Sequence, residues 1–125
     1  MSDKDVFAEA NRLSDAGIDE YRILNADTEE LVLIGSFDLA YYHDVEIAFR
    51  GVRSTDCPET FHSPRFREDG GGADARVFEI DHDEGSCRVV AHDVTIRIGK
   101  VYHYDRGASL APGERIAPWV TRNSH

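Results

Sequence analysis

Tyr41-Tyr42-His43-Asp44-Val45-Glu46-Ile47-Ala48-Phe49-Arg50-Gly51-Val52 decides how this chain is read. Val45, Ile47 and Phe49 alternate with Asp44, Glu46, Ala48 and Arg50. That period of two places the apolar side chains on one face of an extended strand and the polar ones on the other. The stretch is therefore expected to be the central strand of a small sheet. His43 has the parity of the apolar set, so it falls on the core face. A histidine there is expected as a strand-end residue hydrogen-bonded to backbone, ahead of a role as general base. As a base it would need a carboxylate to orient it, and Asp44 points to the opposite face.

Upstream, Val6, Phe7, Ala10 and Leu13 recur at helical spacing and predict a helix over 2–16. Ser2 is placed to cap it and Gly17 to end it in a left-handed turn, with Ile18 as the hydrophobic contact. Strands are expected at 21–24 and 30–39. The run Leu31-Val32-Leu33-Ile34 is apolar on both faces, which suits a central position with one side under the helix. Gly35 marks a bulge or a close backbone approach.

Downstream, Cys57-Pro58, Ser63-Pro64 and Gly70-Gly71-Gly72 interrupt the pattern, and a long loop is expected over 53–75. Strands resume at 76–81, 87–92 and 94–104. A hairpin turn is expected at Asp83-Glu84-Gly85-Ser86, and a bulge or corner at Asp93. Residues 106–125 read as an irregular tail pinned by Ile116 and Trp119. The fold expected is one α+β domain over 1–125. An N-terminal helix packs on a mainly antiparallel, curled sheet of about six strands, as a half-barrel or a sandwich.

The chain carries 24 acidic and 14 basic residues, a net charge of −10. Such a field repels phosphate backbones and anionic lipid, so neither nucleic acid nor membrane is an expected partner. Cationic partners, including basic proteins, suit it better. No apolar run reaches the roughly 20 residues of a membrane span, and the acidic start lacks a secretory pattern, so a cytoplasmic location is the default. That default favours free thiols at Cys57 and Cys87 over a disulfide, which the spacing leaves open.

Motifs for chemistry are sparse. No Cys-x-x-Cys, His-Glu-x-x-His, phosphate loop or Gly-x-Ser-x-Gly occurs. Cys57 lies five residues before His62, and Arg53, Arg65 and Arg67 could supply positive charge, but no nucleophile motif surrounds it and a structural role is expected. Asp81-His82-Asp83-Glu84-Gly85 is too short for an EF-hand and reads as a charged turn. No cofactor is expected; a divalent metal would require His62, His92 and His103 to converge.

Two functions remain. The first is a non-enzymatic module binding a protein partner or a second copy, with Tyr41, Tyr42, His43, Arg65 and Arg67 as candidate binding residues. The second is a small metal-dependent or histidine-assisted hydrolase, with His43, His62, His92 and Asp93 gathered under the 53–75 loop.

Overall fold

The computed structural model describes residues 3–26, 29–39, 41–71, 75–104, 110–118 and 120, with the side chains of 3–5, 25, 26, 69 and 71 excepted. Helix α1 (Asp3–Asp15) buries Val6, Phe7, Ala10 and Leu13, the stripe its spacing demands. It stops as expected. Gly17 takes φ +111°, its N–H donates to the Ser14 carbonyl at 3.1 Å, and the Ile18 N–H donates to the Leu13 carbonyl at 3.0 Å. These are the paired bonds of a Schellman cap, closed by buried Ile18. The expected Ser2 cap lies outside the described residues.

Among the described residues ten strands follow: β1 (Glu20–Ala26), β2 (Glu30–Ser36), β3 (Tyr42–Arg50), β4 (Ser54–Thr55), β5 (Thr60–His62), β6 (Arg65–Gly71), β7 (Arg76–His82), β8 (Gly85–Ala91), β9 (Asp93–Tyr102) and β10 (Arg115–Ile116). They form two sheets that do not close into a barrel, with more strands than the six or so expected, in the orders β10-β9-β3-β2-β1-β5 and β4-β8-β7-β6. Every pairing is antiparallel except β10 on β9. Phe49 of β3 meets Phe78 of β7 with ring centroids 5.4 Å apart, so the sheets share one core. Helix α1 packs on β6 of one sheet and β9 of the other, and Phe7 lies edge-on to Phe78 at 5.4 Å. The helix therefore serves both sheets, where the sequence pattern suggested a cover for one face.

The expectation of a long loop over 53–75 is corrected: β4, β5 and β6 occupy most of it. Thr60-Phe61-His62 and Arg65-Phe66-Arg67 each alternate, and burial of both phenylalanines offsets the prolines' lost backbone donors. Pro64 sits in the turn between β5 and β6, where no ladder bond is forfeited. Ser63 holds that turn at φ +54°, its N–H donating to the Asp19 carbonyl at 2.9 Å and its hydroxyl to Asp19 Oδ1 at 2.6 Å.

Free thiols are likewise corrected. Cys57 and Cys87 form a disulfide with Cα atoms 4.9 Å apart. Pairing of β4 with β8 (Ser54↔Val90, Thr55↔Val89) sets residue 57 beside residue 87. The tail also contributes structure. β10 runs parallel to β9 with Ile116 opposite Tyr102, and Ala117 is buried. Trp119 is outside the described residues.

Two crossings between the sheets lie side by side. The chain leaves β3 at Gly51 (φ +64°) and enters β9 after His92. A Cβ on Gly51 would stand 2.8 Å from the His92 Cβ, so glycine is required for the close approach as well as the dihedral. The bend falls at His92, one residue before the corner expected at Asp93, which is the first paired residue of β9.

Candidate functional site

The start of β3, the end of β9 and β10 converge at one end of the larger sheet. The residue order Tyr42, His43 on β3 faces Tyr102, Val101 on β9. Between His43 and Val45 the ladder slips, because β9 offers an extra residue there. At this slip His43 Nε2 reaches Glu46 Oε2 at 2.7 Å, although residues three apart on a regular strand face opposite ways.

His43 is fully buried, and both its ring nitrogens are engaged. Nδ1 lies 2.8 Å from His103 Nε2, and His103 Nδ1 lies 2.9 Å from the Leu39 carbonyl. Arg115 Nη2 meets the same Glu46 Oε2 at 3.0 Å. The result is a chain in series: Leu39 carbonyl, His103, His43, Glu46, Arg115.

Its charges follow from its surroundings. The His43 hydrogen bond, helped by Arg115, holds the Glu46 carboxyl below its usual range against the opposing effect of burial. Burial pushes His103 below the ordinary histidine value, and the neighbouring His43 adds to that. Asp44, on the other face with Ser36 Oγ 3.4 Å away, is pushed up by burial, with Lys100 acting against the rise.

Above this chain lies an aromatic surface. Tyr41 and Tyr104 are 58% and 44% exposed, and their rings meet edge-on at 6.3 Å. Tyr104 also touches Tyr102 at 5.9 Å, whose hydroxyl donates to Glu114 Oε2 at 2.8 Å. Lys100 Nζ stands 4.4 Å over the Tyr42 ring, a cation–π contact. Phe37, on the same β2–β3 connection as Tyr41, is 57% exposed.

Of the candidates singled out in the sequence, Tyr41, Tyr42 and His43 belong to this end. Arg65 instead pairs with Asp15 of α1, and Arg67 with Glu79 and Asp81 at 2.9 and 3.6 Å. These two arginines serve as ties within the fold. His62 lies three strand spacings from β3, about 14 Å, because Glu20 stands opposite both His62 and Ser36. Asp93 pairs with Arg50 at the far end of β3, seven residues or about 23 Å from His43, and His92 adjoins it. The shared site of His43, His62, His92 and Asp93 is not formed, and no lid covers it because the segment became strands. Nor do His62, His92 and His103 converge on a metal. Among the described residues, ligand atoms cluster at Asp56, Cys57 and Cys87, where the disulfide occupies both sulfurs.

Glu46, Tyr104 and Arg115 are not marked as site residues by the sequence pattern, and His103 enters it only as a candidate metal ligand. One signal was present: Tyr41-Tyr42-His43 and Tyr102-His103-Tyr104 repeat a tyrosine–histidine grouping at the two strand ends that pair. No helix among the described residues is long and apolar enough to cross a membrane. The chain matches no protein-family model, no curated protein and no solved structure.

Proposed function

We propose that this domain is a non-enzymatic interaction module whose tyrosine end receives a cationic protein segment. The observation that carries this reading is the exposed edge-on pair Tyr41–Tyr104 on a chain of net charge −10. Tyrosine faces attract lysine and arginine, and the acidic field raises the local concentration of a basic partner. The same field disfavours nucleic acid and anionic lipid as partners. Burial of His43 with both nitrogens occupied supports a holding role for that ring over proton abstraction from a substrate. A cytoplasmic location rests on composition alone, and the Cys57–Cys87 disulfide supports an oxidising compartment instead.

The test is titration with an arginine-rich peptide and an acidic peptide of equal length. The arginine-rich peptide should bind, more weakly as salt rises, and the acidic one should not. Replacing Tyr41 and Tyr104 together by alanine should weaken binding about tenfold, from two cation–π contacts of about 0.5–1 kcal/mol each. Equal affinity in the doubly substituted protein sinks the reading. Concentration-dependent dimerisation lost in the same variant would assign the face to a second copy.

A further inference from the structure

We propose that the buried His43–His103 pair gates the Tyr41–Tyr104 face with a single shared proton. This rests on the binding reading above and adds its regulation.

The Leu39 carbonyl at one end of the chain only accepts hydrogen bonds, as does an ionised Glu46 at the other. Three hydrogen bonds in series between two acceptors require three protons on the two rings: one on His103 Nδ1, one between His103 Nε2 and His43 Nδ1, and one on His43 Nε2. Two neutral imidazoles carry two protons, and two imidazolium ions carry four. The observed geometry therefore holds one charge on the pair. Moving a proton from His43 to Glu46 would leave the total unchanged.

Departure in either direction breaks a link. With one proton fewer, two lone pairs face each other at one of three links: between the rings at 2.8 Å, between His103 Nδ1 and the Leu39 carbonyl at 2.9 Å, or between His43 Nε2 and Glu46 at 2.7 Å, the last disfavoured because the facing oxygen carries a full negative charge. With one more, two N–H groups face each other between the rings. Both arrangements are costly beside a fully buried ring.

The link reaches the surface through His103. Its ring holds the Leu39 carbonyl, and its backbone N–H donates to the Tyr41 carbonyl at 2.8 Å. Tyr104 is the next residue, and its ring lies against Tyr41. Losing the His103–Leu39 bond or the ring–ring bond loosens the connection that seats Tyr41 on Tyr104.

Charged groups from each packed element bear on the pair. Glu46 on β3 favours the shared proton, and Asp44 on that strand adds negative charge, offset by Lys100 of β9. Arg115 of β10 opposes it by competing for Glu46. Arg22 of β1 acts on His103 in the same sense. Glu20 of β1 accepts from the Leu39 N–H at 3.0 Å, and Glu114 before β10 binds the Tyr102 hydroxyl.

The experiment is a histidine and tyrosine ring NMR titration over about pH 5 to 9, without ligand. Raising the pH should remove one proton from the pair, seen as His43 and His103 signals moving with one midpoint. Tyr41 and Tyr104 ring signals should move with that same midpoint. Glu46→Gln should lower the midpoint, since the anion that favours the proton is gone. His103→Gln, with its fold checked by amide dispersion, should abolish the tyrosine transition. Tyrosine signals that ignore the histidine midpoint overturn the gate, as do two independent histidine midpoints. The arginine-rich peptide, added afterwards, should bind about tenfold more weakly above the midpoint. A coupled tyrosine transition with no peptide binding would remove the partner and leave the gate standing, so the two failures are distinct.

Discussion

His43 Nδ1 and His103 Nε2 stand 2.8 Å apart although 60 residues separate them in the chain. A contact this short between two ring nitrogens requires one hydrogen and one lone pair. It ties the start of β3 to the residue that follows β9, and it makes protonation a structural variable.

Stability should rise with pH from the acid side. Glu46 is held below its ordinary 4.5, and His103 below its ordinary 6.5. In both cases the unfolded chain binds the proton more readily, so each contribution is present above the ordinary value and lost as pH falls through the lowered one; for His103 this is the proton that would follow the shared one onto the pair. Urea unfolding across this range should show both components. Glu46→Gln should remove the one below 4.5, and His103→Gln the one below 6.5. A flat profile in the native protein contradicts this.

Glu46 should matter more than Arg115, its second partner. Glu46→Ala leaves the buried His43 Nε2–H without an acceptor, a cost of about 1–3 kcal/mol. Arg115→Ala removes a half-exposed partner and should cost about 0–1 kcal/mol. Chemical denaturation of both variants decides it, and the reverse ranking would show that Arg115 organises the chain.

Gly35 is opposite Tyr21 in the β1–β2 ladder, and a Cβ there would sit 2.5 Å from the Tyr21 ring. Tyr21 is fully buried and stacked on Phe61 at 5.9 Å, so it has no room to move. Gly35→Ala should therefore cost about 1–3 kcal/mol by overpacking. Tyr21→Phe should cost nothing or stabilise, because the Tyr21 hydroxyl is buried without a hydrogen bond of normal geometry. Burial also pushes that hydroxyl's pKa far above the usual tyrosine value. Thermal melts of the two variants should move in opposite senses or leave Tyr21→Phe unchanged.

The Cys57–Cys87 disulfide closes a loop with a sequence separation of 30. Loop-closure entropy of that size corresponds to about 3–4 kcal/mol. Guanidinium unfolding with and without reductant, or of the Cys57→Ser, Cys87→Ser protein, should differ by that amount. Coincident curves would show that β4 is held to β8 by its ladder alone.

Much of the architecture was legible because periodicity reports burial directly. The helix stripe, its glycine stop and the alternation of β3 all fall where spacing put them. The strands within 53–75 are hard to see in the sequence because prolines and glycines outnumber two short alternating triplets, each anchored by a single phenylalanine. The Cys57–Cys87 bond depends on β4–β8 pairing, which brings together residues 30 apart in the chain and leaves no local pattern.

The site divides along the same line. Local sequence determined that Tyr41, Tyr42 and His43 stand at the mouth of a core strand, since parity and position along a strand are local properties. It left open what His43 touches. Glu46 becomes its partner beside a register slip of β9, and His103 and Arg115 arrive from the residue after β9 and from β10. A hydrogen-bond chain assembled from such distant segments exists only once the ladders are set, so tertiary structure alone decided it.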